Sequence, residues 1–189
     1  MVKKEIRVIG IDDSPFYKFK APNEKVLVVV VIMRGGLYVD GILSTKVNVD
    51  GNDATDKLIR IINQCKFKPQ LQCIFLDGIA VAGFNVIDIK KLNKKTKIPV
   101  VVVIRTNPDI DKIKETLIKI KQKNKIKLIE KAGKVIQINK IFVQLVGIDL
   151  KKARGILDIV CTRSLLPEPL RLAHIIAAGI VVGESKGRA

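Results

Sequence analysis

Acidic residues follow two of the most apolar stretches of this chain. Asp12 and Asp13 come directly after residues 8–11, and Asp77 comes directly after residues 73–76. Burial of a carboxylate costs free energy unless a partner compensates for it. A divalent metal ion, a helix N-terminus or open solvent could each do so. Which of these three compensates for the charge depends on the strands and helices around the acids.

The hydrophobic pattern predicts those elements. Residues 5–12, 25–34 and 37–49 have the apolar, β-branched character of strands, and Gly35-Gly36 is a hairpin turn, so an antiparallel meander is expected. The period then alternates between helix and strand. It predicts strands at 72–78 and 98–105 and a hairpin at 133–138 and 140–147. It also predicts helices within 50–65, at 84–95, from Asp109 onward, at 150–161 after a cap at Asp149, and from Pro167 to Val182.

This order predicts an α/β fold with a mixed five-stranded sheet. Three antiparallel strands are followed by parallel ones, helices cover both faces, and a C-terminal hairpin and helices are added. All 189 residues should form a single domain, with 183–189 as a flexible polar tail. Strands one, four and five should run parallel, so their carboxyl ends share one edge, where such sheets bind ligands. Asp12, Asp77 and Arg105 fall at that edge.

A second group of acids precedes the first helix. Asp53 or Asp50 could join Asp12 and Asp77 in a metal site or could cap the helix, while capping is the better explanation for Asp56. Carboxylates that converge repel one another, and Mg²⁺ relieves this with oxygen ligands and retained waters. Two such ions about 4 Å apart would activate a water and stabilise the leaving oxygen of a phosphodiester.

Asp13 has a different expected role from Asp12. It should face solvent or bond the Ser14-Pro15 turn. The aromatic pair Phe16-Tyr17 follows and is placed to meet a base, although a cover over the sheet edge explains it better.

Charge is the most lopsided property of the chain. The formal net charge is +17, and residues 90–140 hold 16 Lys or Arg but only four acids. A surface this basic attracts polyanions such as nucleic acid. A lysine-rich surface also occurs in heat-adapted proteins without any ligand, so both explanations stay open.

Several classes are disfavoured. The three cysteines, Cys65, Cys73 and Cys161, lack metal-binding spacing and are expected to be free thiols in a reducing compartment. The N-terminus has no signal-peptide pattern, and the longest apolar run, 26–33, is too short to span a bilayer, so a cytoplasmic protein without a membrane partner is expected. A nucleotide enzyme is disfavoured because neither G-x-G-x-x-G nor a Walker A motif is present.

The motifs resemble a known family. The stretches "GID" at 10–12, "FLDG" at 75–78 and "LPEPLRLAH" at 166–174 resemble endonuclease V, which has a ribonuclease H-like fold. More closely, "IGIDDSPF", "VDGNDAT", "DGIAVAGFNVIDI" and the ending "PEPLRLAHIIAAG…GESKGRA" resemble the archaeal domain-of-unknown-function ninety-nine family over nearly the whole chain. The link to endonuclease V rests on the sheet pattern and the shorter motifs.

The resemblance implies a site that binds Mg²⁺ or Mn²⁺. Asp12 and Asp77 match metal-binding positions of endonuclease V, and Arg105 matches a Lys near the scissile phosphate. His174 matches an acidic or His residue near the metal, although a His packed within the last helix is the alternative. The catalytic Glu of endonuclease V is missing, so Asp53 or Asp50 would have to replace it.

Two further stretches are compared with endonuclease V: the segment before the first helix and the loop after the fourth strand. The Pro-Tyr wedge of endonuclease V is absent, which weakens the case for inosine specificity. Gly78 and Gly83 would let the backbone approach a phosphate or base, or would only make the turn.

The favoured hypothesis is a metal-dependent nucleic-acid phosphodiesterase. The alternative is a non-catalytic nucleic-acid-binding protein with a vestigial metal site, and the oligomeric state stays open.

Overall fold

A computed structural model of the chain describes residues 2–16 and 25–185. Its strands are β1 (Arg7–Asp13), β2 (Lys25–Arg34), β3 (Tyr38–Asn48), β4 (Leu71–Asp77), β5 (Ala80–Val81), β6 (Asn85–Val86), β7 (Val100–Ile104), β8 (Ile136–Ile138) and β9 (Ile141–Val146). Its α-helices are α1 (Ala54–Gln64), α2 (Ile89–Thr96), α3 (Ile110–Lys119), α4 (Ile126–Lys131), α5 (Leu150–Val160) and α6 (Glu168–Val182). Within the described ranges, no helix is both long and apolar enough to cross a membrane.

Seven strands form one mixed sheet in the order β3-β2-β1-β4-β7-β9-β8. The first three strands are antiparallel neighbours, and β1, β4 and β7 run parallel, as predicted. The mixed α/β fold is therefore confirmed, but the prediction of five strands was wrong. The hairpin β8-β9 extends the sheet because β9 pairs antiparallel with β7. An apolar strand such as β7 is stable when both of its edges are paired.

Helices cover both faces of the sheet. On one face the central strands pack against α1 and α2 through Leu58, Ile62 and Leu92. On the other face α5 and the beginning of α6 pack through Ile156 and Leu170, and the later part of α6 crosses β2. Helices α3 and α4 form a smaller cluster with the segment that follows β4.

The approach of α6 to the sheet depends on Gly10 in β1. A Cβ atom at this position would overlap backbone atoms of Pro169 and Leu170 in the first turn of α6. Only glycine leaves room for so close a contact. It brings the middle of α6 over the carboxyl end of β1.

Two helix boundaries differ from the predictions. Helix α2 begins at Ile89 rather than at residue 84, because β5 and β6 pair with each other and Asp88 then caps the helix by accepting from the Lys91 N–H. The first helix begins at Ala54, after a turn in which Asp50 has a φ of +50°. The short helix α4 was not predicted.

The structure describes some of the remaining predicted features, while others lie outside the described residues. Asp149 caps α5 as predicted, and Gly183, with a φ of +83°, ends α6. Phe16 packs against the apolar core on the α1 side, whereas Tyr17 and residues 186–189 of the tail lie outside the described ranges. All three cysteines are free.

Candidate metal centre

The carboxyl ends of β1 and β4 bring two of the predicted acids together. Ile11 and Leu76 are paired in the parallel register, so Asp12 and Asp77 follow at the same edge. Asp77 is paired in turn with Val103 of β7, and Arg105 follows just beyond the end of that strand. Arg105 Nη2 lies 3.1 Å from Asp77 Oδ2, so the guanidinium and the carboxylate form an ion pair.

Helix α6 adds the only histidine of the chain to these acids. His174 Nδ1 lies 2.9 Å from Asp12 Oδ2. One possible ligand atom from each of Asp12, Asp77 and His174 lies within 4.8 Å of the other two. Two carboxylates and an imidazole at such spacing form a donor set that suits a divalent metal ion.

Asp12 is almost completely buried, with 6% of its surface exposed. Burial and the nearby negative charges of Asp77 and Asp13 raise the pKa of Asp12 from 3.8 to about 8. Burial likewise raises the pKa of Asp13 to about 6, although the Ala82 N–H stabilises its carboxylate. Without a cation, the site therefore holds Asp12 protonated at neutral pH. A cation that binds here would displace that proton.

Asp13 does not take the predicted position. Its carboxylate accepts a hydrogen bond from the Ala82 N–H at 2.8 Å, while the Ser14 N–H donates to the Leu27 carbonyl instead. Asp13 thus neither faces open solvent nor bonds the Ser14-Pro15 turn. It fastens the segment after β4 to the end of β1.

Asp53 lies outside the cluster formed by Asp12, Asp77 and His174. Its carboxylate accepts from the Asn85 side chain at 2.6 Å and pairs with Lys57 Nζ at 2.7 Å. Although partial burial opposes it, these hydrogen bonds hold the pKa of Asp53 below its usual value. Asp53 organises the turn before α1.

Asp50 also makes contacts within the turn and the neighbouring loop. Its Oδ1 accepts from the Phe84 N–H at 2.6 Å, and its own N–H donates to the Ala82 carbonyl at 2.8 Å. Gly83 has a φ of +81°, and a Cβ on it would overlap the Asp50 carboxylate. The close approach that Gly83 permits is therefore to Asp50.

Gly78 differs from Gly83 in its surroundings. Its φ is +76°, yet a Cβ on it would meet no described atom within 4 Å. It follows Asp77 directly in the chain. Asp56, in contrast, pairs with Lys91 on α2.

Lys125 organises the same loop and was not among the predicted residues. Its side chain is buried, with 2% of the residue exposed, and Nζ donates to the carbonyls of Asp50, Gly51 and Phe84 at 2.6–2.7 Å. Burial lowers the pKa of Lys125. It was hidden among the 16 basic residues of 90–140, and its one distinguishing signal is helical spacing from the buried Ile129.

The basic segment 90–140 surrounds part of this edge. Helix α3 follows β7 at the edge where Arg105 lies, and α3 and α4 pack on the segment after β4. Their exposed lysines include Lys112, Lys119, Lys127 and Lys131.

The sheet order and the acids at its carboxyl edge define a fold of the ribonuclease H-like class, as in endonuclease V. A crystal structure of Ciona intestinalis endonuclease V, in complex with a 24mer DNA containing an inosine followed by a ribo-adenosine, superposes with a TM-score of 0.57. It is 18% identical, and the match covers 88% of this chain and 82% of that one. This likeness confirms the fold predicted from the motifs.

Closer relatives define the family. The profile described as Endonuclease dU matches residues 4–181, so the chain belongs to the endonuclease dU family. A UPF0215 protein of Methanothermobacter thermautotrophicus is 44% identical over 196 residues, covering 100% of this chain and 94% of that protein. A crystal structure of an Archaeoglobus fulgidus protein of unknown function superposes with a TM-score of 0.86 at 38% identity, covering 93% and 98% of the two chains. The predicted membership in an archaeal family whose fold is similar to that of endonuclease V is confirmed.

Proposed function

We propose that this protein is an endonuclease that hydrolyses phosphodiester bonds of nucleic acid with the help of a divalent metal ion. The observation that carries the proposal is the convergence of Asp12, Asp77 and His174 at the carboxyl edge of an endonuclease V-like sheet. Family membership supports the same class of activity.

The residues present fit a metal ion. Two carboxylates and one imidazole converge, and the pKa of Asp12 is raised because its charge is buried beside two other acids. A cation would relieve that repulsion. The mixed oxygen and nitrogen donors suit Mn²⁺ as well as Mg²⁺, with Mn²⁺ more tolerant of the imidazole. When bound, such an ion supplies Lewis-acid activation of water and charge stabilisation at the phosphate.

The other side chains have complementary roles in this proposal. Arg105 offers a planar, permanently charged guanidinium at the rim, suited to a non-bridging phosphate oxygen. His174 has 30% of its side chain exposed, so its ring borders solvent while Nδ1 lies 2.9 Å from Asp12 Oδ2. Gly78 leaves open space beside Asp77, where a nucleotide could contact the backbone.

DNA that contains deoxyuridine is the first substrate to test. The family description names an endonuclease and dU, which we take as deoxyuridine. DNA containing inosine is the natural comparison, because the Ciona relative was crystallised with it. The exposed lysines of α3 and α4 would contact the phosphate backbone without reading the sequence.

A second candidate function is nucleic-acid binding without catalysis. It is favoured by one observation: hydrogen bonds hold Asp53 and Asp50 in the turn before α1, and the cluster of Asp12, Asp77 and His174 contains neither of them. This function needs only the basic surface. Its signature is binding that weakens steeply with salt and is unchanged by a chelator.

A cleavage assay separates the two functions. Labelled duplexes with a single deoxyuridine, a single inosine or only ordinary bases are incubated with Mn²⁺, Mg²⁺ or EDTA. We expect metal-dependent cleavage by the wild type, loss in Asp77→Asn, and retention in Asp56→Asn, whose carboxylate pairs with Lys91 away from the cluster. Salt-sensitive binding of all duplexes without cleavage would overturn the endonuclease and support the binding protein.

A further inference from the structure

A large groove in the described part of the chain lies away from the candidate metal centre. It is a groove of about 1140 Å³ at the amino-terminal edge of the sheet, where β1 and β4 begin and β2 ends. Arg7 and Asp12 are five residues apart on β1, a span of about 17 Å along an extended strand. The groove is therefore a separate site on the opposite edge.

The rim of the groove is strongly basic. Six cationic side chains and two acidic ones line it, a net charge of +4. The cations are Lys3, Lys4, Arg7, Arg34, Lys151 and Lys152. Asp40, which is not part of the lining, pairs with both arginines. The four lysines have no carboxylate within 4 Å in the part of the chain that the structure describes, so they can receive an anion.

The walls between these cations are apolar. Val2, Ile6 and Ile159 contribute side chains. Gly155, in the middle of α5, lines the floor of the groove and has no side chain to fill it. Glycine inside a helix costs about 1 kcal/mol relative to alanine, and here it keeps the groove open: a Cβ on Gly155 would approach the Val2 side chain at 3.3 Å. Gln70 and Gln72 add two amides, which can donate to and accept from the edge of a base.

We propose that this groove binds a nucleotide, with its phosphates on the lysine rim and its base on the apolar floor. Phosphates are bound by converging cations, and a groove of this volume has room for a whole nucleotide. The nucleotide has two possible sources with the same chemistry. It is either a free nucleotide or a terminal nucleotide of a nucleic-acid strand.

The test uses full-length protein in EDTA, so that the candidate metal centre makes no contribution. Binding of ATP is measured by calorimetry for the wild type and for two altered grooves. In Lys151→Gln/Lys152→Gln two rim cations are removed, and in Gly155→Leu a side chain fills the floor. The matched controls are Lys94→Gln/Lys95→Gln, which removes two adjacent exposed cations of α2, and Gly155→Ala.

We expect ATP to bind the wild type, to bind about tenfold or more weakly after loss of the two rim lysines, and to be excluded by Gly155→Leu. Both controls should stay close to the wild type. Thermal unfolding verifies that Gly155→Leu is folded; if it is not, the paired lysine variants decide the question. ATP binding that is absent from the wild type, or that is equal in all variants, would overturn the proposal.

Competition identifies the source. Stronger displacement of ATP by a short single-stranded oligonucleotide than by the same concentration of free nucleotide assigns the groove to a strand end, and the reverse order assigns it to free nucleotide. Either order supports the nucleotide site. Displacement by inorganic phosphate as effective as that by ATP would contradict the role of the apolar floor.

Discussion

Gly10 of β1 lies beneath Pro169 of α6, and the two backbones are so close that a Cβ atom on residue 10 would overlap the Pro169 carbonyl group. His174 lies farther along the same helix and reaches Asp12, two residues after Gly10. The contact between Gly10 and Pro169 therefore sets the position of the imidazole over the end of β1.

Gly10→Ala should destabilise the protein and displace α6. The neighbouring atoms belong to backbone and cannot rotate away, so we expect a loss of about 1–3 kcal/mol in the free energy of unfolding, measured by urea denaturation. Gly179→Ala in the same helix is the control, because a Cβ there meets nothing within 4 Å and should stabilise the helix by about 0.5–1 kcal/mol. Equal effects of the two substitutions would contradict the close packing at Gly10.

The metal-free protein should lose stability as the pH rises from about 4 to about 8. Asp12 binds its proton more tightly in the folded chain, where its pKa is about 8, than in the unfolded chain, where it is near 3.8. Its stabilising contribution is complete below the unfolded pKa and is lost as the pH rises through the folded one. The shift at Asp13, to about 6, acts in the same direction.

Asp12→Asn should consequently raise the melting temperature of the metal-free protein by several degrees at pH 8.5 and have little effect at pH 5. Differential scanning fluorimetry in EDTA across this range measures it. Asp111→Asn, on the exposed first turn of α3, is the control for a simple change of net charge. A benefit of Asp12→Asn that is the same at both pH values would show that burial of the charge is not its cause.

Mn²⁺ should bind the wild type with release of a proton, and more tightly as the pH rises toward 8, because Asp12 must ionise to act as a ligand. Calorimetry in buffers of different ionisation enthalpy detects the proton. Asp77→Asn should abolish binding, whereas Asp53→Asn should retain it, since the Asp53 carboxylate is held by Asn85 and Lys57. Loss of binding in Asp53→Asn with an intact fold would instead place Asp53 among the ligands.

Lys125→Met should be strongly destabilising. It removes the three hydrogen bonds that Nζ donates to the carbonyls of Asp50, Gly51 and Phe84, which should cost about 2–4 kcal/mol. The Asp50 carbonyl then keeps the Gln122 side chain as a donor, and the Phe84 carbonyl keeps the Val86 N–H. Lys127→Met, two residues away and exposed, is the matched control and should change the free energy of unfolding by less than about 0.5 kcal/mol. Similar urea midpoints for the two variants would show that the three carbonyls find other donors.

Local pattern was sufficient for most of the fold. The apolar runs of β1, β4 and β7 required a buried parallel arrangement, and that arrangement brings Asp12 and Asp77 to one edge whatever the details of the loops. Capping by Asp149 and the start of α6 at its two prolines could be predicted equally well, because caps act within one turn of their helix. Of these stretches, β1, β4 and the start of α6 also carried motifs of the family resemblance.

The contacts between distant segments were decided only by the tertiary structure. The bond from Ala82 to Asp13 joins residues 69 positions apart, and Lys125 reaches Asp50 over 75 positions. In both pairs, neither the residue types nor their spacing in the sequence predicts the contact. The same holds for the pairing of β9 with β7, which enlarged the sheet from five strands to seven.

The sequence by itself determined which acids end apolar strands, because strand burial and direction follow from the local hydrophobic pattern. The tertiary structure decided which of them share a site: Asp12 and Asp77 meet His174, while Asp53 and Asp50 are held in the turn before α1. The reason is physical. Register within a sheet is regular, whereas the position of a loop side chain depends on which donors surround it after folding.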